Sequence, residues 1–397
     1  MTDQPMTLNQ NGMALEDQIT GSIQTVVFWG TYDTGKPRTR ILRDGLREIG
    51  VNVVEIHANI WEGHEDKSQI GRSSKVAIGL RCLAAYPGLI WRYLRSPSHD
   101  AVVVPYLGQF DVLVLRPFAW FRRRPLVWDM FISLYDTVVC DRKMARPRSL
   151  TARLLKGLEW IGCRAADRVL MDTPTHARRI SELFGLKQDK LLAVAVGAEQ
   201  EVFSNVPPRT THGGPVRILF YGQLIPLHGI ETILDAALSE RGQSYEWHII
   251  GTGQQTELVA HKLEETQASH VVWERWRSYE NLRDAILEAD ICLGIFGGSD
   301  KAASVVPNKV YQALFAGRPV VTRRSPAMEE AFTENPGLVL VDPCDPDALL
   351  DGVEKVVQTG FQTVPTELLQ AAEPAEIAAK LLADLAPLIE RRKRYAQ

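Results

Sequence analysis

Residues 290–322, DICLGIFGGSDKAASVVPNKVYQALFAGRPVVT, hold one complete unit of a parallel sheet. Residues 290–296 form an apolar run of strand length, and 319–322 form a second. Between them lie a glycine-bearing loop (Gly294, Gly297, Gly298) and a helix-forming segment that Pro307 opens, since proline suits a first helical turn. Parallel strands need such a crossover. The same alternation continues on both sides. Strand candidates stand at 216–222, 245–251, 270–275 and 337–342, and an earlier series at 24–29, 51–56, 101–104, 125–128, 169–171 and 191–196. Residues 204–215, SNVPPRTTHGGP, carry turn formers and nothing to bury, so they read as a linker. The expectation is an α/β chain of two Rossmann-like domains, 22–203 and 216–374, facing a central cleft. Ligands of open α/β sheets sit beyond the carboxyl ends of the strands, which places the candidate site in that cleft.

Composition narrows the partners. The chain has 397 residues, 45% hydrophobic and 23% charged, which suits globular domains. Residues 1–200 carry 27 Lys+Arg against 21 Asp+Glu, and the remainder 18 against 27. A basic half joined to an acidic half points to an anionic partner for the basic one. Its densest parts are Trp91-Arg92-Tyr93-Leu94-Arg95 and Phe118-Ala119-Trp120-Phe121-Arg122-Arg123-Arg124. Rings beside arginines suit the headgroup layer of an anionic membrane. The commoner reading of such a pattern is an arginine-rich solvated helix face whose rings turn inward. Nucleic acid is excluded as a partner, because the pI of 6.3 lacks the positive excess it requires. The cysteines (Cys82, Cys140, Cys163, Cys292, Cys344) form no C-x-x-C pair and read as free thiols of a reducing compartment. No apolar run reaches about 18 residues. The polar first 21 residues read as a disordered tail, and the expected location is cytoplasmic, peripheral on the inner face of the plasma membrane.

Three patterns are decoys. Gly30 to Pro37 matches a phosphate-binding loop up to its last position, where Pro37 replaces the Ser/Thr that would hold Mg²⁺. Asp345-Pro346-Asp347 looks like a metal-carrying D-x-D, but it opens a helix that Asp345 is suited to cap. Gly251-Thr252-Gly253 follows a strand, yet Thr256 stands where a dinucleotide fingerprint needs its third glycine.

Two groupings carry more. FYGQLIPLHGIETILDAA, 220–237, is a strand, a tight loop bounded by Gly222 and Gly229, and a helix, with His228 just before the helix. Glycines let backbone approach a ligand, and a helix start favours an anion. His228 reads either as a donor to phosphate when protonated or as an unliganded loop histidine. In 290–322, Lys301 and Lys309 flank the helix start. Lys309 lies in its first turn, where a cation is unfavourable unless an anion binds. The pattern reads as a diphosphate site that needs no metal, the alternative being that both lysines are solvated surface groups.

In order and spacing, segments 220–237, 245–253, 290–322 and 337–347 resemble the donor domain of the family 4 glycosyltransferases, which have the GT-B fold. The first domain resembles a bacterial branch of them through 29–57, 124–142 and 168–185. The resemblance implies sugar transfer from a nucleotide diphosphate to a hydroxyl of a carbohydrate, lipid-linked or small-molecule acceptor. It implies retention of configuration, no required metal or cofactor, and the leaving phosphate as proton acceptor. It also implies that a terminal helix, 375–392, crosses back to the first domain. Donor-side positions are then Gly222, Gln223, Gly229, Gly251, Gly253, Arg275, Lys301, Ser304, Asn308, Lys309 and Gln312, with His228 beside the diphosphate as a catalytic candidate. Acceptor-side positions are Gly30, Thr31, Arg38 and Arg40. Asp129 is the candidate for orienting the acceptor hydroxyl, a role Asp136 or Asp141 can share, and Glu199 reads as a hinge-side carboxylate.

The chain departs from the family at four places. Gln223 and His228 stand where an arginine and a lysine clamp the diphosphate, and Ser304 and Gln312 where paired glutamates hold sugar and ribose. Another cation must substitute, and Lys301, Lys309 and Arg275 are the candidates, Lys309 first. A surface polysaccharide, glycolipid or glycosylated secondary metabolite is the expected product class. A catalytically silent GT-B scaffold is the alternative.

Overall fold

The computed structural model describes residues 23–60, 72–203 and 214–394. The expected tail lies outside them, as does nearly all of the expected linker (204–213).

Among the described residues, twelve strands form two six-stranded sheets, all parallel. The first holds β1 (Thr25–Gly30), β2 (Asn52–His57), β3 (Ala101–Val104), β4 (Leu126–Asp129), β5 (Arg168–Met171) and β6 (Leu191–Ala193), in the order β2-β1-β3-β4-β5-β6. The second holds β7 (Arg217–Tyr221), β8 (Glu246–Ile250), β9 (Val271–Glu274), β10 (Ile291–Leu293), β11 (Val320–Arg323) and β12 (Leu338–Val341), in the order β12-β11-β10-β7-β8-β9. Each of the twelve coincides, within a few residues at its ends, with a strand expected from the sequence. Central strands such as β3 and β10 are buried on both faces, so they read as unbroken apolar runs rather than alternating ones.

Strand order locates the crevices. The winding reverses between β1 and β3 in the first sheet and between β7 and β10 in the second. Open sheets bind ligands beside such switch points. The second one lies beside the loop after β7 and the helix Asn308–Phe315, the two groupings singled out above.

The last helix, Pro374–Arg394, buries Ile377, Leu381, Leu382, Leu385 and Ile389 in the core beneath β1 and the helix Pro37–Glu48. Gly45 makes this approach possible, since a side chain there would strike the Pro374 backbone. The helix therefore starts from the second domain and packs on the first. Among the described residues no helix is long and apolar enough to cross a membrane.

Candidate active site

Beyond the carboxyl ends of β7, β8 and β10, three loops stack backbone against backbone. A side chain at Gly251 would strike the Gly222 carbonyl, one at Gly253 the Leu224 backbone, and one at Gly229 the Phe296–Gly297 peptide. These glycines therefore let loop pack on loop. Gly222, with φ of 135°, is different. Its missing side chain leaves room for a cation, because a Cβ there would lie 2.9 Å from Lys309 Nζ and 3.3 Å from His228 Cε1.

Lys309 is the second residue of the helix Asn308–Phe315, whose N-cap is Pro307 and which no side chain caps. Its Nζ sits 3.9 Å from the centroid of the Phe220 ring. The amine is buried and has no hydrogen-bond partner. Burial pushes its pKa well below the ordinary lysine value. An unpaired amine at the positive end of a helix is poorly placed in the absence of an anion and well placed in its presence.

His228 does not join it as a cation. Burial holds its pKa well below the usual histidine range, and the charges of Lys309 and Arg142 add to the effect. Its Nδ1 pairs with the Gln223 carbonyl, which requires Nδ1 to carry the proton. This environment opposes a second proton on the ring, which the role of protonated phosphate donor would require.

Other donor-side candidates have protein partners. Gln312 accepts from the Tyr221 hydroxyl at 3.2 Å and donates to the Tyr279 hydroxyl at 3.1 Å. Tyr279 in turn donates to Glu199, which accepts from Arg40 at 2.8 Å. One chain of bonds thus joins the domains and accounts for Gln312, Glu199 and Arg40 structurally. Ser304 donates to the Asp300 carbonyl, and its own carbonyl accepts from Thr173 of the first domain. Lys301 donates to Thr137, and the carboxylates of Asp136 and Asp141 offset its burial. Arg275 lies exposed beyond β9 with its guanidinium 4.7 Å from the Trp273 ring centroid. Of the three cations expected to replace the clamp, the structure brings Lys309 to the loop after β7. Asn308 opens the same helix.

The acceptor-side expectations are corrected more sharply. Asp129, fully buried, accepts from Arg38 Nε and Nη2 at 3.1 Å each. Arg38 also donates to the Val194 and Ala195 carbonyls. The pair is a buried strut between β4, the helix Pro37–Glu48 and the chain after β6, and the Asp129 carboxylate is committed to Arg38. Gly30 and Thr31 stand at the β1/β3 switch point, but the Thr31 amide donates to Asp111 Oδ2 at 2.6 Å. A carboxylate thus holds the place a phosphate-binding loop would offer, which removes that decoy. Asp345 caps its helix through the amides of Asp347 and Ala348, which removes the D-x-D decoy.

Sequence reasoning missed two features. Arg142 of the first domain donates to the Gln223 side chain at 3.0 Å. Asp172 and His176, ending β5 and opening the helix Pro174–Phe184, pair at 2.6 Å with His176 Nε2 buried and unpartnered. The spacing Asp172-Thr-Pro-Thr-His176 at a strand end was a readable signal for the second. Nothing in the sequence signalled the first.

A cavity of about 600 Å³ opens at the other end of the second sheet, lined by Arg217, Tyr245, His248, His270 and Glu288. It lies by the amino ends of β7 to β9, away from the switch point, so the loop after β7 is the better candidate.

Residues 215–359 match the family model described as Glycosyl transferases group 1. No curated protein sequence matches the chain significantly. Among solved structures, the sucrose-phosphate synthase of Thermosynechococcus elongatus is similar at TM-score 0.61 and 13% identity, over 94% of this chain and 98% of that one. HepE of Anabaena in complex with UDP is similar at 0.55 and 12%, over 94% and 99%. The lipopolysaccharide outer core galactosyltransferase WaaB is similar at 0.58 and 14%, over 92% and 100%. These likenesses establish a two-domain GT-B fold. Fold and family match together support a glycosyltransferase enzyme.

Proposed function

We propose that the protein transfers a sugar from a nucleotide-diphosphate donor to an acceptor hydroxyl, as a family 4 enzyme retaining anomeric configuration and needing no metal. The observation that carries this reading is the buried, unpartnered Lys309 amine at a helix start beside the loop after β7. A diphosphate there gives the amine its counter-charge, and the helix dipole adds to the attraction. Lys309 then stabilises the charge that grows on the departing diphosphate, while the acceptor proton passes to the leaving phosphate oxygen. HepE has been captured with UDP and glucose, and WaaB is a galactosyltransferase, which supports a nucleotide sugar and a carbohydrate acceptor. Calorimetric titration with UDP, GDP, ADP and TDP tests the reading. We expect saturable binding of at least one, and no heat with any at millimolar concentration would leave only a silent scaffold.

The acceptor side is proposed to work at an anionic membrane in surface-glycan or glycolipid assembly, on the cytoplasmic face. Among the described residues, twelve of the fifteen large exposed hydrophobics fall between Leu80 and Ile161. They lie mostly on three adjoining helices, Arg72–Arg95, Asp111–Phe121 and Leu150–Ala165. Trp91, Trp120 and Phe121 are 56%, 66% and 75% exposed, so these rings face outward rather than into the core. Arginines accompany them, with Arg95 over Trp91 and Arg164 over Trp160. Rings and arginines together suit a headgroup layer. In liposome flotation, recovery should rise with anionic lipid and fall in the Trp120→Ser/Phe121→Ser variant. Equal recovery with and without anionic lipid would defeat the membrane reading.

A further inference from the structure

We infer that Arg142, from the first domain, is the second cation of the diphosphate site, so that the bound donor bridges the two domains. The inference rests on the nucleotide-sugar reading above and names a residue that reading does not contain.

Arg142 follows the helical turn Asp136–Asp141, and three contacts press this segment against the second domain. Lys301 donates to Thr137, Ser299 donates to Asp141, and Gln254 donates to the Arg142 carbonyl at 3.3 Å. The last two come from the loops after β10 and β8, so the arginine backbone is held by the same loops that frame the Lys309 pocket. Its guanidinium reaches the loop after β7, where Nη2 donates to Gln223 Oε1 at 3.0 Å. Gln223 is the neighbour of Gly222, the residue against which Lys309 Nζ rests. Arg142 Nε and Lys309 Nζ are both buried without a hydrogen-bond partner. Two basic side chains from opposite domains thus meet on one short loop, and the neighbouring side chains of Gln223 and His228 carry no negative charge.

The neighbouring cation shows the contrast. Lys301 enters the same interface but has Asp136 and Asp141 to offset it. No such carboxylate serves Lys309, whose displaced pKa has burial as its only cause. A planar guanidinium suits two oxygens of a phosphate, whereas the Gln223 side chain offers it one. A diphosphate between Arg142 and Lys309 would satisfy both cations, and it would hold the lobes closed for as long as it stays.

The test titrates full-length protein calorimetrically with whichever of UDP, GDP, ADP and TDP it binds, and with the matching monophosphate. Arg142→Gln should weaken the diphosphate at least about tenfold while changing the monophosphate far less. Adding Gln223→Arg to that variant, which moves the cation from one domain to the other, should restore much of the loss. Thermal melting of the free proteins checks that both variants fold. If Arg142→Gln leaves the preference for diphosphate over monophosphate unchanged, Arg142 is not part of the site, although the donor reading stands. If the unaltered protein binds no nucleotide, the donor reading itself falls and takes this inference with it.

Discussion

Replacing Lys309 by methionine is expected to weaken nucleotide-diphosphate binding about 30-fold or more, and to make the free protein more stable at neutral pH. The two effects have one origin. Methionine keeps the apolar stem against Phe220 and removes a buried amine that has no partner. In the folded free protein that amine has a pKa well below the ordinary lysine value, while in the unfolded chain it titrates near about 10.4. Between those two values the unfolded chain binds the extra proton. The penalty for burying Lys309 is therefore full below the folded pKa and fades as pH rises toward the unfolded one. Lys309→Met should be more stable by at least about 1 kcal/mol at neutral pH, the two proteins converging near pH 10. Urea unfolding across that range measures it.

Ligand binding should reverse the proton balance. A diphosphate beside the amine favours its charged form, so binding at a pH above the free folded pKa should take up a proton. Calorimetry in two buffers of different ionisation enthalpy reads this directly. Uptake in the unaltered protein and none in Lys309→Met is the expected pair of results. Binding with no proton uptake at any pH, and unchanged affinity in the variant, would place the diphosphate elsewhere.

The place of Lys309 at a helix start was legible because the signal is local. Pro307 marks a helix start, the apolar phase of Val310, Tyr311 and Leu314 sets the buried face, and a cation in the first turn conflicts with the dipole. The strands were legible for a similar reason, since a run such as Ala101–Val104 is buried along its whole length and is apolar throughout. Long-range pairing was not. Asp129 ends a strand at the cleft side, which is where an acceptor-orienting carboxylate belongs, yet Arg38 lies 91 positions away along the chain. Arg142 and Gln223 are separated by 81 positions. Residue type and spacing give the chemistry a side chain can perform, whereas the topology decides which partner neutralises it. Lys301 and Lys309 show the point, eight positions apart, one facing three carboxylates and the other none.

Breaking the Arg38–Asp129 strut should cost more stability than any other single change discussed above. Both groups are almost fully enclosed, and Arg38 serves a carboxylate and two carbonyls at once. Arg38→Met leaves Asp129 charged or forces it to bind a proton, and it strips donors from the Val194 and Ala195 carbonyls. Removing one partner of such a pair costs about 3–5 kcal/mol. Asp129→Leu should fall in the same range, because the guanidinium then stays buried with carbonyls alone. The double variant should lose less than the two single losses added together, since two apolar side chains leave no unpaired charge. Urea unfolding of the four proteins completes the cycle. A further variant, Asp129→Asn, separates structure from chemistry at this position. If the carboxylate only braces β4, transfer activity per folded molecule in Asp129→Asn stays within a few-fold of the unaltered protein while the unfolding midpoint drops. An unchanged midpoint with a collapse in turnover would return Asp129 to the acceptor site and show that the strut opens during the reaction.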